Sequence, residues 1–89
     1  MKEFTYVIQD KNGMHARPAG KLATFAKQFT SQIKVSAGGK EADGKRLLAL
    51  MSLGATAGAV LSFCISGEDE AEACAALQAF CINSWGRGE

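Results

Sequence analysis

His15 and Arg17 are the residues of this chain best suited to chemistry, in the stretch Asn12-Gly13-Met14-His15-Ala16-Arg17-Pro18-Ala19. His15 is the only histidine and Pro18 the only proline in 89 residues. An imidazole is largely unprotonated near neutral pH, so it can act as a nucleophile and still be a tolerable leaving group. A guanidinium carries a permanent charge and a planar donor fork that matches phosphate or carboxylate. Asn12-Gly13 favours a turn, and Pro18 suits the first turn of a helix, where its missing N–H costs nothing. Ala19, Leu22, Ala23 and Ala26 then follow at helical spacing. His15 is therefore expected at or just before a helix N-terminus, where unpaired backbone N–H groups and the positive end of the dipole favour an anion. Together these features suggest a phosphoryl group held on His15. A solitary histidine more often serves a surface or capping role, so the reading needs support from the rest of the chain. No metal or cofactor is expected: there is no second histidine and no cysteine at ligand spacing.

The elements that must position these residues follow from periodicity. Phe4, Tyr6 and Ile8 alternate with Thr5, Val7 and Gln9, which predicts a first strand with an aromatic-rich buried face. A helix is predicted over about 16–28, with Ala19, Leu22, Ala23, Ala26 and Phe29 as its apolar stripe. Gly20 inside that helix weakens it by roughly 1 kcal/mol relative to alanine, with no local reason. Ile33, Val35 and Ala37 mark a second strand, which Gly38-Gly39 turns back into a short edge strand at 40–43 whose charges suit that position. Leu47 to Leu53 reads as a short helix stopped by Gly54, too apolar for burial on one side alone. Leu61, Phe63 and Ile65 face the core from a fourth strand ending at Ser66, with Cys64 on the opposite face. Gly67-Glu68-Asp69-Glu70 supplies a cap and first-turn acids for a last helix with its stripe on Ala73, Ala76, Leu77, Phe80 and Cys81. Residues 83–89 are expected to fray, with the place of Trp85 undecided. The order β-α-β-β-α-β-α implies an α+β fold, helices gathered on one face of an antiparallel sheet and the other face open to water, as Ser62 and Ser66 suggest.

Length and composition, with 47% hydrophobic residues, fit one small globular domain spanning 1–89. A net charge of +1 excludes a strongly basic nucleic-acid binder. Lys11, Arg17, Lys21, Lys27, Lys45 and Arg46 are basic, while Glu68, Asp69, Glu70 and Glu72 cluster late. That asymmetry suits a specific anionic partner better than a polyanion. Three cysteines without a CxxC motif point to reduced thiols and a cytoplasmic location. On a shared helix Cys74 and Cys81 would lie roughly 10.5 Å apart, too far for a disulfide, so buried packing is expected for both. The uncharged run from Leu47 to Gly67, with Lys45-Arg46 before it and a GxxxG match at Gly54–Gly58, raises a membrane span as a rival. Serines, a threonine and glycines dilute that run, and its second half alternates as a strand does, so no membrane insertion is expected.

Two blocks resemble the signatures of the HPr phosphocarrier family of the bacterial phosphotransferase system. One is Gly13-Met14-His15-Ala16-Arg17-Pro18-Ala19, similar to its phosphohistidine signature. The other is Lys45-Arg46-Leu47-Leu48-Ala49-Leu50-Met51-Ser52-Leu53-Gly54, similar to its second-helix signature. Phe29-Thr30-Ser31, the Gly54 to Gly58 spacing and Ser66-Gly67-Glu68-Asp69-Glu70 fit as well, and the match runs from about Lys2 to Ile82. The resemblance implies an open-faced β-sandwich with strand order 1-4-2-3 and three helices on one side. It implies a monomeric carrier, not a free-standing enzyme. It further implies a cycle in which Enzyme I, charged by phosphoenolpyruvate, would phosphorylate Nδ1 of His15 and the group would pass to enzyme IIA of sugar permeases. Arg17 matches the arginine that contacts the phosphoryl group, and Ala16 and Pro18 shape the helix start. Leu47, Leu48 and Met51 match partner-docking positions, with Lys21, Lys27, Lys45 and Arg46 around them; Leu50 and Leu53 are expected in the core. No acid–base partner for His15 is evident.

The chain departs from the family at two places. Many members carry a kinase-regulated serine where this chain has Arg46, which cannot accept that phosphate and has the opposite charge. Gly20 replaces the usual small polar or alanine residue. Two other readings compete with a sugar-uptake carrier: an HPr-like regulatory binding module, and a carrier for a nitrogen-related or dihydroxyacetone branch. Modules of the first kind tend to lack the histidine and keep the serine, the reverse of this chain.

Overall fold

The computed structural model describes residues 1–9, 11 and 13–83. The elements run β1 (Lys2–Val7), α1 (Ala16–Ala26), β2 (Gln32–Ala37), β3 (Lys40–Asp43), α2 (Leu47–Met51), β4 (Val60–Ser66) and α3 (Glu70–Asn83). They form one antiparallel sheet in the order β1-β4-β2-β3. Period-two alternation is what makes this sheet two-sided. Ile33, Val35, Ala37, Leu61, Phe63 and Ile65 are buried on the face the helices cover. On the other face, Glu3, Cys64, Lys34 and Asp43 lie opposite one another in a polar row, as do Thr5, Ser62, Ser36 and Glu41. The expected open face is therefore present, with Ser62 and Ser66 exposed on it and Cys64 half-buried.

The helices complete the core from their predicted stripes. Ala19, Leu22, Ala23, Ala26 and Phe29 are buried at α1, Leu50 and Leu53 at α2, and Ala73, Leu77 and Cys81 at α3. Truncating a fully buried leucine such as Leu50 to alanine costs roughly 2–5 kcal/mol. Phe4 stacks on Phe63 at 4.5 Å between ring centroids, and Phe25 on Phe80 at the same distance.

Several boundaries differ from the periodicity. Helix α1 ends at Ala26, not near 28, because Gln28 and Phe29 donate to the carbonyls of Phe25 and Ala26, three residues back, and tighten the last turn. Ile8 lies just past β1, although its N–H still reaches Ala59 O at 2.9 Å and its side chain is buried. Phe4 and Tyr6 are half-buried, because β1 is an edge strand. Cys74 is half-buried where full burial was expected, one position off the stripe of Ala73, Leu77 and Cys81. Burial pushes the Cys81 thiol up to about 12. Asn83 closes α3 and is not part of a frayed tail, while residues 84–89, Trp85 included, lie outside the described residues. The uncharged run from Leu47 divides into α2, a glycine loop and β4, and among the described residues no helix is long and apolar enough to cross a membrane.

Asp69 ties the end of the sheet to the turn between α1 and β2. Its carbonyl accepts the first hydrogen bond of α3 from Ala73 N, but its carboxylate turns away from its own helix. It accepts the N–H groups of Thr30 and Ser31, each at 2.9 Å, and the Ser31 hydroxyl. The bond from the Ser31 hydroxyl, then that from Thr30 N–H, hold its pKa at about 2, below the usual carboxylate range. Glu70 is lowered too, by the Met1 ammonium at 2.6 Å and by Gly67 N–H at 3.1 Å.

Candidate functional site

His15 is the N-cap of α1, in extended backbone geometry with φ −101° and ψ −171°. Its carbonyl accepts the first helical hydrogen bond, from Ala19 N at 3.0 Å. Its side chain makes no capping hydrogen bond to the helix and is left half-exposed. Ala16, Arg17 and Pro18 are thus the first three helical residues. Pro18 stands third, still among the positions whose N–H has no partner within the helix, so proline costs nothing there. Arg17 is exposed two residues after His15, whereas Pro18 is buried in the first turn. An imidazole at a helix start whose first turn also carries an exposed arginine is an arrangement in which charge on a transferring phosphoryl group can be stabilised by fixed dipoles and a cation.

The approach to His15 is held from behind. Gly13 has φ +72°, and a Cβ on it would lie 2.5 Å from Ala55 O and 2.8 Å from Thr56 Cα. Only glycine can pack so closely and adopt that dihedral without strain. The contact lets Met14 N donate to Ala55 O at 2.9 Å, joining the loop before α1 to the loop after α2. This join could not be read from sequence, since its partners are 41 residues apart and neither side chain makes the bond.

Helix α2 lies beside α1, with Leu47 near Gly20. Leu47 is 39%, Leu48 78% and Met51 37% exposed, while Leu50 is fully buried, so one short helix presents apolar side chains outward and inward. Arg46 is its exposed N-cap. Lys21 is exposed on α1 about one turn beyond Arg17, and Lys27 is the C-cap of α1, roughly 16 Å along the helix from Ala16. The cations therefore line the length of α1 and do not encircle His15. Lys45 differs from its neighbours: its ammonium donates to Phe29 O at 2.7 Å, binding the approach to α2 to the turn between α1 and β2. Periodicity missed a further feature here. Phe25 lies off the predicted stripe of α1, yet it stacks on Phe80 and meets Phe29 edge-on at 5.8 Å.

Known proteins match this architecture over nearly its whole length. The family model described as PTS HPr component phosphorylation site matches residues 2–83. The phosphocarrier protein HPr of Cupriavidus necator is 40% identical over 82 residues, 92% of each chain. Among solved structures, HPr-C-His from Thermoanaerobacter tengcongensis is similar with a TM-score of 0.88, 39% identity and 98% of both chains covered. An HPr dimer from the same organism gives 0.75 at 39% identity, covering 98% of this chain and 100% of that one. With a family model that spans residues 2–83 and relatives about 40% identical over most of their length, the chain belongs to the HPr phosphocarrier family of the phosphotransferase system.

Proposed function

We propose that this protein is a cytoplasmic, monomeric phosphocarrier that accepts a phosphoryl group on Nδ1 of His15 from Enzyme I, charged by phosphoenolpyruvate, and passes it to enzyme IIA of sugar permeases. The observation that carries the reading is His15 at the N-cap of α1, half-exposed and making no side-chain capping bond, with the exposed Arg17 two residues on in the first helical turn. The imidazole lone pair attacks phosphorus; the P–N bond to His15 forms as the bond to the donor breaks, and the donor keeps that electron pair. Positioning and electrostatic stabilisation supply most of the catalysis in phosphoryl transfer. Arg17 and the helix start provide both from this side, the Ala16–Pro18 turn placing them. Leu47, Leu48 and Met51 give the partner an apolar centre, with Lys21, Lys27, Lys45 and Arg46 as its charged surround. No cofactor takes part.

Mixing the protein with Enzyme I and phosphoenolpyruvate should give an acid-labile species heavier by about 80 Da, the mass of one phosphoryl group. The species should be absent in His15→Ala. Its absence from the wild type, or its persistence in the variant, would overturn the assignment.

Arg46 makes the carrier constitutive in this reading. An HPr kinase adds negative charge at the family's serine, and a guanidinium at that position offers no hydroxyl to modify. Incubation with such a kinase and ATP should leave no phosphoserine by mass spectrometry; a stoichiometric one would refute the point.

A further inference from the structure

Gly20 stands half-buried on α1 between two apolar surfaces. On one side a Cβ added to it would meet Leu47 Cδ1 at 4.0 Å and nothing nearer. On the other it lines a shallow groove of about 630 Å³ between α1 and α3. The floor of that groove is the Phe25–Phe80 stack, 4.5 Å between centroids and 9° from parallel, with both rings only half-buried. Arg17 and Lys21 form the wall toward His15, and Gln28 closes the far end. Among the described residues lining it, none is acidic. Any side chain at position 20 would stand between the Leu47 patch and this groove. Glycine leaves the two continuous.

An apolar floor with cationic walls is complementary to an acidic protein surface that carries an apolar side chain. We infer that the surface through which this protein meets its phosphoryl donor extends from α2 across Gly20 into the Phe25–Phe80 groove, which receives an apolar side chain flanked by acidic residues of that donor. This rests on the phosphocarrier reading. A second copy of the chain is the competing occupant, but it would have to bring an acidic patch to the groove without covering the site at His15.

The test is the initial rate of phosphorylation by Enzyme I and phosphoenolpyruvate as the concentration of this protein is varied. Gly20→Leu fills position 20 and should raise KM about tenfold, with kcat within about twofold, as loss of a central apolar contact does. Gln28→Glu should raise KM about threefold and Gln28→Lys should lower it by a similar factor, since charge at a rim tunes encounter. Glu41→Gln makes the same change in net charge as Gln28→Lys but on the open sheet face, and should leave KM at the wild-type value. Should Gly20→Leu fail to fold, the Gln28 pair decides alone. KM values for both Gln28 variants equal to wild type would overturn the inference, as would a Glu41→Gln effect matching that of Gln28→Lys. A wild-type dimer in sedimentation equilibrium that Gly20→Leu dissociates would assign the groove to a second copy and overturn it too. In each of these outcomes phosphorylation of His15 still proceeds; no phosphorylation of wild type at all would overturn the carrier reading and this inference together.

Discussion

His15, the proposed phosphoryl acceptor, is placed by backbone geometry at the start of α1. As N-cap it is held by its own backbone, through Ala19 N–H on its carbonyl, while its side chain makes no capping bond to the helix. Gly20, one turn further, has the opposite character: its backbone is ordinary helix and its importance lies in the missing side chain. A methyl group there would make ordinary contact with Leu47 Cδ1, so nothing steric demands glycine. Gly20→Ala is expected to raise stability by roughly 0.5–1 kcal/mol, from helix propensity alone. A urea midpoint that falls would show that the helix needs glycine for a reason of its own. If the midpoint rises, the glycine has been kept at a cost to stability, in line with a surface role.

At the scale of elements, α2 is too short to be stable by itself and draws its place from contacts on both flanks. Leu50 enters the core, Lys45 just before α2 donates to Phe29 O in the turn after α1, and Ser52 Oγ returns to Ala49 O at 2.6 Å. The outward residues then have no structural duty comparable to that of Leu50. Met51→Asp should leave circular dichroism and the unfolding midpoint nearly unchanged while raising KM for Enzyme I by about tenfold, the cost of losing one well-packed interface side chain. An unchanged KM would remove Met51 from the docking surface. The Lys45 ammonium, on Phe29 O, already serves the joint between α2 and the turn after α1.

At the scale of the whole molecule, Asp69 joins the start of α3 to the turn between α1 and β2 across 38 residues of chain, through the Ser31 hydroxyl and the Thr30 and Ser31 N–H groups. Its carboxyl is lowered from 3.8 to about 2 in the fold. A depressed carboxyl stabilises the folded state above its unfolded pKa and loses that contribution as pH falls through the folded one. The stability that Asp69 confers should therefore be complete above about pH 4 and gone near pH 2. Glu70, lowered in the same sense by the Met1 ammonium, adds to the slope. Urea midpoints measured from pH 5 to pH 2 should fall for the wild type and fall less for Asp69→Asn, which should also be the weaker protein at neutral pH. Parallel curves for the two would exclude the Asp69 clamp as a source of acid sensitivity.

Local pattern was enough for the features that depend on neighbours in sequence. The His15–Pro18 helix start, the element order, the stripe of α1, the Ala73, Leu77 and Cys81 part of the α3 stripe (Ala76 and Phe80 are half-buried) and the two-sided α2 were legible, because helix and strand periods of 3.6 and 2 place side chains without reference to distant chain. Strand order could be anticipated only through family resemblance, since alternation says which face is buried but not which strand lies alongside. Other features belong to the tertiary structure alone: the backbone bond from Met14 to Ala55, the reach of Asp69 to Thr30 and Ser31, the Lys45 contact with Phe29 O and the groove over Phe25 and Phe80. Each joins groups far apart in the chain, several through backbone atoms that every residue carries. Residue type cannot announce such contacts; they arise when the packed sheet and helices bring those groups within hydrogen-bonding or van der Waals distance.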